Sequence, residues 1–258
     1  LLREYDWRVT FYLGALLSLG FIPLVYLLVP ESITYLERKR PQGALERIQT
    51  IMKRLGHSVP DSLPPIEASQ AHPIGMASLF KSGLGLITCI LLFAYLGNVG
   101  TYYYFVKWIP MIVTDLGYSS SEATNVLGVI SLGGVIGSVG LSIIARFLPI
   151  RLLMALCLVS AAIGVAAFPY FTETLQSMKL VGFVTGLFIF AAISGFFGLF
   201  AVSYPSSLLG SGTGLVLGIG RGGAVLGPMI PGFLFATGML LENVAIIMAS
   251  GSFLAGFL

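Results

Sequence analysis

Charged residues are scarce in this chain of 258 residues: Asp, Glu, Lys and Arg make up 10% of it, whereas about 25% is usual for a soluble domain. Hydrophobic residues, in contrast, make up 56%. A chain with so little charge is not a soluble enzyme, a disordered protein or a nucleic-acid-binding protein. The composition therefore indicates a polytopic helical membrane protein.

Cysteine and histidine are equally rare, which argues against a metal centre. Cys89 and Cys157 lie in apolar runs and are interpreted as small core residues. His57 and His72 share one polar loop, so no cluster of metal ligands is visible. The sequence contains no H-E-x-x-H motif or other catalytic constellation. We therefore expect no metal, no cofactor and no enzymatic activity.

Long apolar runs are what the sequence does contain. Each run is close to the ~20 residues that cross the hydrocarbon core of a bilayer as a helix. The runs are residues 8–29, 84–113, 122–145, 150–171, 179–203, 212–237 and 241–258. We predict an all-α protein with about seven transmembrane helices. Because the first residue is not Met and the last run has no polar tail, we expect the chain to be part of a longer protein.

Positive charge falls on alternate connections between these runs. Segment 31–82 is rich in Lys and Arg, and the short turn 146–151 contains Arg146 and Arg151. Connections at the opposite end contain mainly acidic residues. The positive-inside rule places the basic connections in the cytoplasm. We therefore predict a multi-pass protein of the cytoplasmic (inner) cell membrane, with Arg146 and Arg151 in a cytoplasmic turn.

The long connection 31–82 contains two kinds of segment. Residues 41–55 have apolar side chains at three- and four-residue spacing, which predicts an amphipathic helix with Pro41 in its first turn. Residues 57–73 are rich in Pro and Ser and are typical of a flexible strap. A basic amphipathic helix commonly lies on the membrane surface, and a docking site for a partner is the alternative.

Three short motifs point to a family. The first is Asp6-Trp7-Arg8 before the first run, with Pro30-Glu31-Ser32 after it. The second is ARFLPIR at 145–151, and the third is G-x-x-x-G-P-x-x-P-G at 223–232. They resemble the signature after helix 6, the D-R-x-G-R-[RK] turn and the glycine–proline motif of major facilitator superfamily transporters. In the second motif Ala145 replaces the family's Asp, and Leu148 replaces its Gly.

This resemblance implies a fold and a division of the chain. Transporters of this family have twelve helices in two six-helix halves. Residues 1–30 would be the last helix of the N-terminal bundle, 31–82 the cytoplasmic interdomain loop, and 83–258 the C-terminal six-helix bundle with a truncated last helix. The stretch 102–117 is most similar to helix 7 of aromatic acid:proton symporters. The Pro-Glu-Ser region also resembles sugar porters.

Arg221 is the most informative single residue. It lies within a glycine-rich apolar run that contains no Asp or Glu. A lone Arg at the centre of a bilayer costs about 2.5–3.5 kcal/mol on insertion scales, so it needs an anion or a cavity. We predict that Arg221 is the counter-charge for a substrate carboxylate. An ion pair with an acid elsewhere in the protein and snorkelling to the headgroups are the alternatives.

A second candidate site lies in the run around residue 100. Tyr95, Asn98 and Tyr102 are spaced by three and four residues and share one helix face. With Tyr103 they offer an aromatic wall and a hydrogen-bonding group, which suits a planar ring substrate. The alternative is a belt of aromatic residues at the membrane–water interface.

Proline and glycine positions predict hinges and close helix packing. Proline removes a backbone donor and bends or ends a helix. The predicted gating or hinge residues are Pro110, Gly227, Pro228 and Pro231. Glycines four residues apart allow helices to approach closely or to slide past one another. They are Gly210, Gly214, Gly218 and Gly222, the pair Gly133 and Gly137, and the pair Gly182 and Gly186. Ser119 and Glu122 match a helix capping box.

These features and the resemblance together predict a function. The chain is expected to be a fragment of a secondary transporter that carries a small organic acid, an aromatic carboxylate, by proton symport with alternating access. The expected partners are this substrate, protons, the lipid bilayer and an N-terminal helical bundle, but not nucleic acid. The resemblance implies that the proton-coupling acids lie in that bundle. A sugar or polyol porter and a truncated remnant that does not transport are the alternatives.

Overall fold

A computed structural model describes residues 8–56, 58–60, 62–63, 79–80 and 83–257. Asp6 and Trp7 of the first motif, both histidines and most of the strap 57–73 lie outside these residues. All regular structure in the described residues is helical, as predicted. The chain divides into two compact units, Leu1–Pro73 and Ile74–Leu258.

The described residues of the first unit form one apolar helix and two short helices. They are α1 (Arg8–Leu28), α2 (Ile33–Lys39) and α3 (Ala44–Arg54). The predicted amphipathic helix is therefore confirmed as α3, and its Ile48 is buried. The prediction that Pro41 lies in its first turn is wrong, because Gly43 adopts a left-handed φ of 74° and the helix begins after it. The seven residues of α2 are too few for a periodicity to be seen in the sequence.

The Pro-Glu-Ser motif contacts the amphipathic helix within this unit. An Arg47 guanidinium nitrogen donates to Glu31 Oε2 at 3.1 Å. Both side chains are about half exposed, so water and salt screen the pair, and its expected contribution is at most about 1 kcal/mol. The Arg47–Glu31 pair therefore contributes little to stability, and its main effect is to orient α3 relative to the segment that follows α1.

The second unit contains the remaining predicted helices. They are α4 (Gly85–Asp115), α5 (Ser120–Ile144), α6 (Ile150–Ala167) with a 3-10 turn (Phe168–Phe171), α7 (Leu175–Ser203), α8 (Leu209–Gly220), α9 (Gly223–Ala236) and α10 (Leu241–Ala255). Among the described residues six helical segments are long and apolar enough to span a membrane, where about seven were predicted. The difference is α10, whose 15 residues extend about 22 Å.

Side-chain caps fix where two of these helices begin. The predicted capping box is present: the Ser119 N–H donates to Glu122 Oε2 at 2.9 Å, and the Glu122 N–H donates to Ser119 Oγ at 3.3 Å. A second box was not predicted. It pairs Thr174 with Ser177 and starts α7 at Leu175, four residues before the predicted run. Serine at the fourth position of a box is not part of the usual sequence signature.

Two of the predicted glycine pairs line one contact, between α5 and α7. Gly133 and Gly137 of α5 lie against backbone carbonyls of α7, and Gly186 of α7 lies against a carbonyl of α5. A Cβ at any of these positions would collide with that backbone. The glycines therefore allow the two helix backbones to approach as closely as they do.

A second close approach joins α4 to α10 and includes a polar contact. A Cβ on Gly97 would lie 2.7 Å from the carbonyl oxygen of Gly251. Nearby, the Thr101 hydroxyl accepts from the Ser252 N–H at 3.2 Å and donates to the Met248 carbonyl at 2.6 Å. An α-helix would pair these two backbone groups with each other. A side chain of α4 thus enters the hydrogen-bond ladder of α10.

Replacing Thr101 by Val should destabilise the second unit, because it removes this hydroxyl and keeps the side-chain shape. We expect a loss of about 1 kcal/mol, near the range measured for buried polar contacts between membrane helices, and a thermal midpoint lower by about 2–4 °C. Thr114→Val is the matched control, because the Thr114 hydroxyl bonds only its own helix, at Met111. Equal midpoints for the two variants in detergent would contradict the role of Thr101.

Replacing Gly137 by Ala should also destabilise the protein, because the added methyl group meets the Leu187 carbonyl. Overpacking of this kind costs about 1–3 kcal/mol. The control is Gly140→Ala in the same helix, where no atom lies within 4 Å of the new Cβ. Alanine favours the helix, so the control should unfold at the wild-type temperature or slightly above it. A Gly137→Ala protein as stable as the control would refute the close contact.

Candidate functional site

Arg221 lies at a break in its span rather than inside a continuous helix. Helix α8 ends at Gly220 and α9 begins at Gly223. Between them the Gly222 N–H donates to the Ile219 carbonyl at 2.9 Å, three residues back, so the helix tightens into a 3-10 turn. Glycine weakens a helix by about 1 kcal/mol relative to Ala, and glycines surround Arg221 on both sides. The local sequence therefore favours a break at this arginine.

The guanidinium of Arg221 is exposed. It makes no ion pair and no hydrogen bond with any residue that the structure describes. Roughly 18 Å of helix separates Arg221 from Leu209 at the start of the segment, and more separates it from the other end. That distance is longer than an arginine side chain, which argues against snorkelling to either headgroup layer.

The segment of Arg221 has one open glycine edge and one packed glycine edge. The open glycines lead up to Arg221, and no atom lies within 4 Å of a Cβ built on them. They are Gly210, Gly214 and Gly218. On the packed edge, a Cβ on Gly227 would lie 2.6 Å from the Gly100 carbonyl of α4. The break is therefore fixed against α4 on one side and is open on another.

Three aromatic rings form a row across α4 and α7. The Tyr102 ring lies edge-to-face between Tyr103, at 5.1 Å, and Phe190, at 5.0 Å between ring centroids. All three side chains are half-buried. We call Tyr102, Tyr103 and Phe190 the aromatic row. One turn beyond Phe190, the exposed Ser194 hydroxyl donates to Ser138 Oγ of α5 at 3.0 Å, which places polar groups beside the row.

Tyr95 and Asn98 lie inside the bundle. Tyr95 is 4% exposed and packs edge-on against Phe196, with 5.2 Å between centroids. Asn98 is fully buried, and its Oδ1 accepts from the Ser252 hydroxyl at 3.0 Å. The Asn98 Nδ2 is also buried and has no hydrogen-bond partner among the described residues. The predicted face therefore divides: Tyr102 reaches the surface, while α7 and α10 cover the other two residues. Their binding role stays a prediction.

The predicted hinge residues lie within continuous helix. Helix α4 continues through Pro110, so the helix does not end there. Pro228 and Pro231 both lie inside α9, and the break in this span precedes them. The Trp108 indole N–H donates to the Pro228 carbonyl at 3.0 Å, which links α4 to the proline-containing segment. Whether these residues act as hinges stays a prediction.

Arg146 lies in the turn between α5 and α6, and Arg151 lies in the first turn of α6. Both side chains are exposed, and neither forms an ion pair with a described residue. Among the residues of known placement, no three His, Cys, Asp or Glu side chains come close enough to hold a metal ion.

Phe190, Ser138 and Ser194 were not singled out from the sequence. A phenylalanine or serine in an apolar run has no pattern that separates a pocket position from a packing position. The contact between α5 and α7 brings the two serines together, although they are 56 residues apart in the chain. Only the helix arrangement could have identified them.

Sequence comparison places these features in a family. The profile of the Major Facilitator Superfamily matches residues 1–228. The 3-(3-hydroxy-phenyl)propionate transporter of Escherichia coli (strain K12) is 24% identical over 97% of this chain and 54% of that protein. The gallate transporter of Pseudomonas putida is 25% identical over 99% of the chain and 57% of that protein. The gentisate transporter of Corynebacterium glutamicum is 26% identical, with coverages of 98% and 51%.

The chain spans about half the length of these curated relatives. The profile match, in contrast, covers most of the chain, from the first apolar helix into α9. The helices found in the structure agree with the polytopic fold that the sequence predicted. The chain therefore belongs to the major facilitator superfamily.

Proposed function

We propose that this chain is part of a secondary transporter that carries an aromatic carboxylate across the membrane by alternating access. The observation that carries the proposal is Arg221, a cation at mid-span without a partner among the described residues. The relatives support the choice of substrate, because they are transporters of hydroxyphenylpropionate, gallate and gentisate.

A guanidinium at this depth needs an anion. Arg221 borders the open glycine edge of α8, and no described acid lies opposite it. Because the relatives are about twice as long, we infer that the rest of the transporter covers this edge and leaves a cavity at Arg221. A carboxylate that enters the cavity forms two charge-assisted hydrogen bonds with the planar guanidinium, in a medium that screens charge poorly.

The aromatic row supplies the second half of the site. Gly227 packs against Tyr103, so the Arg221 segment lies beside the part of α4 that carries two of the three rings. A benzene ring packs edge-on or offset against such rings. The hydroxyls of Ser138 and Ser194 offer hydrogen bonds to phenolic groups on the substrate ring. We assign Tyr95 and Asn98 a supporting role, because they hold α4 against α7 and α10.

Proton coupling, in this proposal, depends on a carboxylate outside the described bundle. Asp115 ends α4, and Glu122 and Glu242 lie in the first turns of α5 and α10. Glu173 lies in a connection. None of these acids reaches the middle of a span, where a carboxylate that titrates during transport is expected.

Replacing Arg221 by Gln should raise the half-saturation concentration for benzoate uptake at least tenfold, because a charge-assisted contact contributes about 1.5–3 kcal/mol. Arg221→Lys keeps the charge but not the paired hydrogen-bond geometry, so its half-saturation concentration should lie between those of wild type and Arg221→Gln. Uptake of radiolabelled benzoate is measured in cells that express the protein as its gene encodes it. Lys107→Gln, which removes another exposed cation of the bundle, should behave as wild type.

The same assay separates the alternatives. Benzamide, the neutral analogue, should not compete with benzoate in wild type. If Arg221→Gln leaves the half-saturation concentration unchanged, Arg221 does not bind the carboxylate. If a sugar or polyol competes and aromatic acids do not, the protein is a sugar porter instead.

The acids of the described spans should be dispensable for coupling. We expect Asp115→Asn and Glu242→Gln to keep both the pH dependence of benzoate uptake and its sensitivity to a protonophore. The reason is that these carboxylates lie at helix ends, outside the proposed path of the proton. Loss of the pH dependence in either variant would place the coupling acid in this chain and contradict the proposal.

A further inference from the structure

A second cavity lies apart from Arg221 and the aromatic row. It has a volume of about 340 Å³ and is enclosed by α4, α6, α7 and α10. Its lining is almost entirely apolar and includes Leu91, Met154, Leu158 and Phe196. Among the described residues of this lining, Arg151 is the one that carries a charge, and Ser203 is polar. The cavity shares no residue with the site proposed above, so the substrate pathway does not account for it.

The cavity lies at one end of the bundle. Helices α4 and α6 begin at this end, and α7 and α10 finish there, because successive spans run in opposite directions. This end also contains the basic turn 146–151, which the charge rule places in the cytoplasm. Ala94 lies nine residues into α4, so the cavity extends roughly 13 Å along that helix. It therefore reaches from headgroup level into the hydrocarbon layer.

The mouth of the cavity is positive. Arg151 lies in the first turn of α6, which contains no acidic residue. The neighbouring Arg146 is also exposed, and neither arginine forms an ion pair with a described residue. The free N–H groups and dipole at the start of α6 add to the same positive potential. An anion at Arg151 would therefore be attracted by both arginines and by the N-terminus of α6.

Part of the wall is exposed at the outer surface of the bundle. Ile87 of α4 and Val202 of α7 line the cavity and are 40% and 58% exposed. Phe147, beside Arg146, is 81% exposed, as expected for an anchor at the membrane interface. An apolar chain can therefore enter from the lipid side, while a charged group stays at the mouth.

We propose that this cavity binds an anionic phospholipid of the cytoplasmic leaflet. One acyl chain occupies the apolar interior, and the headgroup phosphate binds Arg151. The lining is apolar in the interior, where the acyl chain would lie, and basic at the mouth, where the phosphate would lie.

Lipid binding to the purified chain tests the headgroup contact. Native mass spectrometry compares phosphatidylglycerol with phosphatidylcholine that has the same acyl chains. We expect wild type to prefer phosphatidylglycerol and Arg151→Gln to bind it about fivefold more weakly, the factor for one basic residue at a membrane surface. Phosphatidylcholine binding should not change. The matched control, Lys107→Gln, removes an exposed cation far from the cavity and should keep the preference.

A second variant tests the acyl-chain contact. Ala155 lines the cavity, and the larger side chain of Ala155→Phe should fill it. Binding of both lipids should weaken, and the ratio of their affinities should not change. Ala236→Phe, at the exposed end of α9, is the control for added surface area.

The proposal fails if Arg151→Gln binds phosphatidylglycerol as tightly as wild type does. It also fails if Lys107→Gln weakens phosphatidylglycerol binding as much as Arg151→Gln does, or if Ala155→Phe changes the binding of neither lipid. Displacement of the lipid by benzoate would assign the cavity to aromatic acids instead. Because the experiment measures lipid binding and not uptake, its outcome does not depend on whether the proposed transport is correct.

Discussion

Water is absent from the hydrocarbon core of a bilayer, so each polar group there must find its partner within the protein or in what the protein binds. Most polar groups in this bundle meet that requirement. Thr101 bonds the backbone of α10 and Trp108 donates to the carbonyl of Pro228, whereas Asn98 meets it only in part: its Oδ1 accepts from Ser252, but its Nδ2 has no partner among the described residues. Arg221 is different, because no described residue neutralises it. A bound anion, or an acid outside the described residues, would neutralise it.

Helix α4 is the element around which the second unit is organised. It meets α10 at Gly97, where the backbones are too close for a side chain on either partner, and it meets α9 at Gly100, where a Cβ on Gly223 or Gly227 would collide with the α4 backbone. These approaches bring short side chains within hydrogen-bond reach of neighbouring backbones. The same helix carries Tyr102 and Tyr103, and Tyr103 packs against Gly227 of α9.

The sequence determined the helices better than the site. Apolar length and the capping box at Ser119 predicted where the spans lie, because both are local properties. The break beside Arg221 was not predicted. The span was expected to bend at Pro228 and Pro231, but it is interrupted earlier in the chain, between Gly220 and Gly223. Tyr95 and Tyr102 were assigned to one face, but which residue of a face stays exposed depends on the neighbouring helices. Phe190 joined the aromatic row for the same reason, through a tertiary contact.

The Thr101 hydroxyl within the ladder of α10 has a consequence for motion. A helix whose backbone bonds are completed by a neighbour cannot slide or rotate past that neighbour without breaking them, and nothing in lipid replaces them. Gly97 and Gly251 interlock at the same level. Helices α4 and α10 should therefore move as one rigid body in any rearrangement of the bundle. Flexibility must then come from segments whose backbone is already interrupted, such as the junction of α8 and α9.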